Sequence, residues 1–424
     1  MIFFWLLIYN ILIVPLGYIG YYIVSFFDEK IKIGKIGRKI TNRKINWFRR
    51  KKPDKEVYLI HSASLGEYEQ AKPVIRGLKT LRPDIEIVCS FTSPSGYENA
   101  DKLEEVSLFV YLPIDTLRRI DAFLTKLRPS KIIFVSYELW PNLIMKANRY
   151  EISTYLMSAR IRKDSLKWLP IIRTFFSEIY RNLDHIYAVT QEDKETVARL
   201  TGSKQVKVLA LGDTRYDQVI QRSEKKVEEK VPSIFETGFV FVAGSIWPQD
   251  AEKLLPALFR LMKEKNDLKL ILAPHEPSDY AIEMLETQAE KQNLTYKRLT
   301  ELNEAPIDEK ILLVDKIGVL AEIYHQTKAA FVGGSFRDSI HNVMEPAVAG
   351  IPVFFGPVYH NSREAENLVE QGGAVSCETS QELYRNIKRV IEDEQVYNKM
   401  SRSARKVIVD NLGASMKTVK QILE

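Results

Sequence analysis

His61-Ser-Ala-Ser-Leu-Gly-Glu67 sets a carboxylate at the opening of a helix that follows a strand. Small residues and Gly66 let a ligand approach the backbone at that turn, and Glu67 could take the proton of an attacking hydroxyl. The same position equally suits a carboxylate that only complements the helix dipole in its first turn. That dipole lowers a carboxyl pKa, so a base of useful strength requires opposing desolvation. In Glu138-Leu-Trp-Pro-Asn142, Glu138 follows another strand end. It could hold an acceptor or brace Glu67, or be a first-turn carboxylate ahead of a proline start. In Gly212-Asp-Thr-Arg-Tyr-Asp217, Arg215 could stand at a domain junction near a phosphate, or be a surface arginine.

The second half carries a ligand-binding pattern. Phe331-Val-Gly-Gly-Ser335 runs a strand into Gly334 and Ser335, and His341-Asn-Val-Met-Glu345-Pro then opens a helix. Backbone N–H groups at a helix start can meet an anion without metal, and Glu345, one turn in, can reach a ribose hydroxyl. Asn342, Val343 and Met344 lie at that start, while Pro274-His275 and Ile317-Gly318-Val319 stand just past neighbouring strands. Each alone also suits a loop or packing residue. The glycines are not G-x-G-x-x-G, which disfavours a dinucleotide dehydrogenase. No Asp-x-Asp occurs, and the six histidines lack metal-ligand spacing. No metal or cofactor is therefore expected, and departing negative charge falls to Arg, His and helix dipoles.

These residues need strands that end together. From residue 56, short β-rich runs alternate with helical patterns: strands at Val57–His61, Ile85–Ser90, Lys131–Val135, Thr154–Met157 and His185–Val189, with helices such as Tyr68–Leu81 and Thr116–Leu127. A second alternation predicts strands at Phe239–Ala243, Leu268–Ala273, Ile311–Val314, Ala329–Val332 and Ile351–Phe355, and a helical tail from Gln381. The fold class is α/β, with two Rossmann-like domains at 56–220 and 238–424, a linker at 221–237 rich in Lys and Glu, and a cleft between the domains.

Ile2 to Phe27 holds no charged side chain. As a helix it would reach roughly 39 Å, enough for a hydrocarbon core of about 30 Å. Pro15, Gly17 and Gly20 also permit a kinked or re-entrant hairpin. A cleaved signal is disfavoured by the missing basic n-region and cleavage site. Residues 28–55 hold twelve Lys/Arg against three acids, while the whole chain is +6, so the rest is net negative. The charge is a local device beside an apolar segment. It argues against nucleic acid and for an anionic phospholipid surface, with the flank cytoplasmic. Cys89 and Cys377 are far apart and suit a reducing compartment.

Six ordered motifs resemble those of the 3-deoxy-D-manno-oct-2-ulosonic acid (Kdo) transferase family: H-S-A-S-L-G-E at His61, E-L-W-P-N at Glu138, G-D-T-R-Y-D at Gly212, F-V-G-G-S at Phe331, H-N-x-x-E-P at His341 and G-I-P-V-F-F-G-P at Gly350. The resemblance runs from about Val57 to the C-terminus. It implies a GT-B fold and a metal-independent, inverting transfer of Kdo from CMP-Kdo to the lipid A precursor (lipid IVA), in lipopolysaccharide core synthesis at the cell inner membrane. It further implies Glu67 as general base, Arg215 as a transition-state stabiliser, and CMP contacts from Pro274-His275, Ile317 to Val319 and Asn342 to Glu345. Three departures stand out. Ser136 replaces an acidic residue of E-T-E-L-W, Pro274-His-Glu-Pro277 replaces P-R-H-P, and Ile246-Trp-Pro-Gln-Asp250 replaces T-H-E-G-E. The enzyme alternative is another GT-B transferase, or an epimerase, acting on a different nucleotide sugar. The non-enzyme alternative is a membrane-tethered lipid-binding protein.

Overall fold

The computed structural model describes residues 2–161, 165–202, 206–228, 234–302 and 306–424. They form two compact units, Met1–Gln218 with Leu412–Glu424, and Val219–Asn411.

The first unit is built on seven parallel strands: β1 Val57–Ser62, β2 Glu86–Phe91, β3 Val106–Tyr111, β4 Lys131–Val135, β5 Ser153–Ala159, β6 His185–Ala188 and β7 Lys207–Ala210. Their order is β3-β2-β1-β4-β5-β6-β7. β1 is buried at all six positions, as expected for a parallel strand covered by helices on both faces. The second unit repeats the plan with β8 Phe239–Ile246, β9 Leu268–Pro274, β10 Tyr296–Arg298, β11 Ile311–Leu313, β12 Ala329–Val332, β13 Val353–Phe355 and β14 Ala374–Ser376. Here the order is β10-β11-β9-β8-β12-β13-β14. In each sheet the strand order reverses once, beside β1 and β4 in the first and beside β8 and β12 in the second. The carboxyl ends of those strands form the crevice where ligands bind in open α/β sheets.

Helix α1, Ile2–Val24, is long and apolar enough to cross a membrane. It is continuous, not a hairpin: a π-helical turn at Tyr9–Ile13 precedes Pro15, as where a proline removes a backbone donor. The basic segment is α2, Glu29–Lys51, and it is no loose linker. Ile45 and Phe48 are buried in the core with Val57, Leu59 and Phe123, each contributing about 1.5–3 kcal/mol. The opposite side of α2 exposes Ile33, Ile36, Ile40 and Trp47, a helical stripe interleaved with Lys32, Lys39, Arg43 and Arg50.

α3 (Leu65–Leu81) follows β1, α4 (Pro141–Arg149) follows β4, and α5 (Thr214–Glu228) follows β7. α5 occupies the first half of the span expected as a linker, and 229–233 lie outside the described residues. Lys and Glu suit an exposed helix as well as a linker, so composition could not separate them. In the second unit α6 (Pro248–Glu264) follows β8 and α7 (Met344–Ala349) follows β12.

The tail expected to stay with the second domain returns to the first. In α8, Ala414–Leu423, Val419 and Ile422 join the core formed by Tyr58, Val74 and Leu78. A Cβ on Gly77 would stand 2.9 Å from Val419, so glycine in α3 permits this approach. Asp217 fixes the return by accepting the N–H groups of Gly413 and Ser415, each at 2.7 Å.

Candidate active site

The β1–α3 turn presents Glu67. Ser64 caps α3 by accepting the Glu67 N–H, while the Glu67 carboxylate reaches back to accept the Ala63 N–H. This locks the carboxyl above the end of β1, where it is only 9% exposed. Burial raises its pKa from 4.5 to about 7, the Ala63 N–H opposes the rise, and the nearby Glu138 charge adds to it. Desolvation therefore outweighs the helix start, as a base working near neutrality requires.

Glu138 lies on the turn after β4, so the two carboxyl groups come from the two strands that flank the order reversal. Burial raises the Glu138 pKa too, against a hydrogen bond from Thr92 and the charge of Arg38. Arg38 belongs to the basic helix α2. It donates to Leu112 O (3.0 Å), Thr92 O (2.7 Å) and Tyr21 Oη (2.9 Å). Ser136, the departure from the family pattern, takes a left-handed φ of 61°. Its hydroxyl donates to Gln70 Oε1 on α3 at 2.5 Å, so it ties the β4 turn to the helix of Glu67.

His61 is buried, and burial lowers its pKa to about 3, which keeps the ring neutral. Trp140 Nε1–H donates to its Nε2 at 3.1 Å. Nδ1 then carries the proton and donates to Ser90 Oγ at 3.0 Å. His61 thus orients Trp140 and is not an acid–base group. Arg215, at the start of α5, holds Asp213 with a two-nitrogen fork, Nη2 to Oδ2 at 2.6 Å and Nε to Oδ2 at 3.0 Å. The Thr214 hydroxyl donates to Gln70 O at 2.7 Å. This sets the opening of α5 against α3, one turn past Glu67.

In the second unit, fully buried Asp250 on α6 accepts the N–H groups of Trp247 (2.9 Å), Gly334 (2.7 Å) and Phe336 (3.1 Å). Burial raises its pKa against those three donors. It pins the glycine turn after β12 to the turn after β8. A Cβ on Gly333 would stand 2.1 Å from Ser245 O, and Gly334 has φ 88°, so both must be glycine. Beside the turn, His275 and His341 stack at 4.1 Å between ring centroids, and Trp247 stacks on His275 at 4.6 Å. The Arg337 guanidinium lies 4.2 Å over the Trp247 ring. Trp247 Nε1–H donates to His341 Nε2 at 2.9 Å, and burial lowers the His341 pKa to about 4. The result is an aromatic tier with one cation above it.

Pro274 and His275 join this tier because Pro274 pairs with Ile246 at the end of β8. Gly334 also belongs to it. Ile317 and Gly318 sit on an exposed turn after β11, and Val319 packs into the core. The side chains of Ser335, Val343 and Met344 are buried, and the Ser335 hydroxyl accepts the Gly356 N–H at 2.6 Å. Asn342 is exposed, and its carbonyl oxygen accepts the Met344 N–H at 3.0 Å. α7 begins only at Met344, two residues later than expected. Glu345 receives Arg222 Nη1 at 3.3 Å. Sequence reasoning gave no role to Arg38, Trp247, Asp250 or His341. The Trp247–Asp250 signal was visible only as a departure from a familiar motif.

Residues 39–218 match the family model described as 3-deoxy-D-manno-octulosonic-acid transferase (kdotransferase). The 3-deoxy-D-manno-octulosonic acid transferase of Rickettsia felis is 27% identical over 327 residues, covering 76% of this chain and 69% of that protein. The enzyme of that name from Aquifex aeolicus is 28% identical, covering 74% and 80%. A bifunctional glycosyltransferase/methyltransferase of Fusobacterium nucleatum is 28% identical over 81% of this chain and 53% of its own length. Among solved structures, UDP-GlcNAc 2-epimerase from Neisseria meningitidis superposes with a TM-score of 0.62 at 15% identity, over 87% of this chain and 99% of that one. At that identity the likeness speaks to the GT-B fold alone.

Proposed function

The chain belongs to the Kdo transferase family of glycosyltransferases, and from that premise we propose that it transfers Kdo from CMP-Kdo to the lipid A precursor in lipopolysaccharide synthesis. Glu67 takes the proton of an acceptor sugar hydroxyl. That oxygen attacks the anomeric carbon of Kdo as the bond to the CMP phosphate breaks, inverting the centre. CMP leaves with the bonding electron pair, and the backbone from Asn342 to Glu345 meets its charge; Arg215 takes the transition-state role that the family resemblance implies. Glu138 holds the acceptor and keeps Glu67 basic. The Trp247–His275–His341 tier and the Gly334 turn receive the cytidine, with His275 in place of the arginine of the family's P-R-H-P and the Arg337 guanidinium over Trp247 supplying a cation. The observation that carries this reading is the buried Glu67, raised to about 7 at the strand-order reversal.

α1 and the exposed stripe of α2 attach the protein to the inner membrane, with the basic flank toward the cytoplasmic leaflet. A lipid acceptor gives that attachment its purpose, since it replaces a search in bulk with a search on a surface.

Replacing Glu67 by Gln or Ala, with transfer from CMP-Kdo to the lipid A precursor followed by mass spectrometry, tests the assignment. A loss of 10²-fold or more is expected, and near-normal transfer by folded protein overturns it. Calorimetry separates the neighbouring chemistries: CMP binds, while UDP and ADP do not. Preferential UDP binding favours a transferase or epimerase using another nucleotide sugar.

A further inference from the structure

Between α1 and the rest of the first unit lies a cavity of about 380 Å³, within the roughly 300–1,000 Å³ typical of small-molecule sites. One wall is a helical stripe of α1, from Ile13 and Val14 through Gly17 to Tyr18 and Tyr21. Gly17 is the centre of that stripe, and no atom lies within 4 Å of where its Cβ would stand. The missing side chain leaves the space open. The facing wall is Leu112 to Ile114 with Pro94.

Two features say what fits. The lining is apolar except at Asp115, whose carboxylate is taken up by Tyr9 Oη and the N–H groups of Asn142 and Leu143, and at one end, where Arg38, Thr92 and Trp140 meet. Trp140 bonds His61, and Thr92 and Arg38 both act on Glu138, so that end abuts the Glu67–Glu138 site. The three hydrogen bonds of Arg38 go only to neutral oxygens, two carbonyls and a phenol; its charge reaches Glu138 only through space, so the guanidinium is open to an anionic head group. The other boundary is α1 itself, whose far side exposes Leu7, Ile11, Leu16 and Ile19 as a lipid-facing surface would.

Resting on the acceptor assignment above, we propose that this cavity takes one hydrocarbon chain of the acylated sugar acceptor, drawn from the membrane alongside α1, with the acceptor's anionic head group at Arg38 and its hydroxyl delivered to Glu67. A chain seated there fixes the head group in the site. The enzyme thereby selects an acylated acceptor over the bare sugar.

The test uses the full chain in lipid nanodiscs. Gly17→Phe fills the cavity, Gly17→Ala is the mild control, and CMP affinity by calorimetry reports folding. KM for the acylated lipid A precursor is expected to rise about 10-fold in Gly17→Phe with CMP affinity unchanged, while transfer to the deacylated sugar is unaltered. An equal effect on both acceptors, or none, overturns the proposal. A second measurement needs neither the variant nor turnover. A diazirine-bearing acyl chain on the acceptor should crosslink to Ile13, Val14 or Leu112–Ile114. Equal labelling of these residues by a diazirine phosphatidylethanolamine assigns the cavity to bulk lipid and overturns the proposal. If wild-type protein transfers no Kdo, the functional reading fails by itself, and the crosslinks still decide the cavity.

Discussion

Replacing Glu67 by Gln should make the protein less active and more stable, and the stability gain should depend on pH in a way that identifies its cause. The folded carboxyl is raised from 4.5 to about 7, chiefly by burial. Below pH 4.5 both the folded and unfolded chains hold the proton, and nothing is lost. As pH rises from 4.5 toward 7 the unfolded chain releases its proton first, so stability falls. Above about 7 the penalty is complete. At 1.36 kcal/mol per pH unit it amounts to about 3 kcal/mol. A neutral Gln of the same shape avoids it, and its amide oxygen can still accept the Ala63 N–H. For a unit of this size each kcal/mol moves Tm by about 2–4 °C. Glu67→Gln should therefore melt about 6–12 °C above wild type at pH 8 and match it at pH 4.5, in calorimetric scans at fixed ionic strength. The opposing idea is that Glu67 exists to complement the helix start. Losing that favourable charge costs about 0.3–1 kcal/mol, so the variant would melt lower at pH 8. A lower Tm at pH 8 refutes the desolvated-base reasoning, and transfer kinetics in wild type should show the matching limb, with the rate rising as pH passes about 7.

Three further outcomes follow from the geometry. The His61 ring, held near pKa 3 by burial, should show one nitrogen-15 pattern, protonated at Nδ1, from pH 5 to 9; a titration in that range contradicts the Trp140–His61–Ser90 chain. Asp250→Ala removes the acceptor for three N–H groups, and at about 1–3 kcal/mol per unmet buried group it should cost at least about 3 kcal/mol in urea unfolding; a loss under 1 kcal/mol would mean the glycine turn holds itself. Trp247→Ala should weaken CMP by about 10-fold in calorimetry, the scale of one base–aromatic stack, and unchanged affinity would move the cytidine off the tier.

What the sequence revealed and what it hid divide along physical lines. The interior strands β1, β4, β8, β9 and β12 are continuous apolar runs because parallel strands are covered on both faces, and such runs stand out in a chain. The strands that escaped notice, β3, β7, β10 and β14, are the four sheet edges. β7 has no fully buried position and β10 reads Tyr-Lys-Arg, since an edge is short, half-solvated and often charged. Glu67 and Glu138 were legible because a carboxylate just past a strand is an unusual placement. The value near 7 was not, because desolvation depends on what covers the group. The Trp247–His275–His341 tier joins residues 94 positions apart in the chain, and no local pattern records that meeting.

The apolar N-terminus is where structure changes the question most. Charge-free length alone allows a span. Yet α1 touches the rest of the first unit along much of that length: the Trp5 ring on Phe175 at 5.7 Å, Tyr9 Oη to Asp115 at 2.9 Å, and Tyr18 and Tyr21 receiving Arg119 and Arg38. Asn10, the one amide in the segment, forms a reciprocal pair with Asn142 at 3.0 and 2.8 Å. From Trp5 to Tyr21 is roughly 24 Å of helix, close to the thickness of a hydrocarbon core. With those contacts intact, Asp115, Asn142, Arg119 and Arg38 would have to enter the bilayer with a helix that crossed it, and each buried charge or unmet amide there costs several kcal/mol. A helix that instead presents only its outer face to lipid keeps every one of these bonds. On the proposed function it also holds Asn142, the last residue of the Glu138 motif, in register with α1, so that the proposed attachment and the proposed acceptor site would share the same contacts.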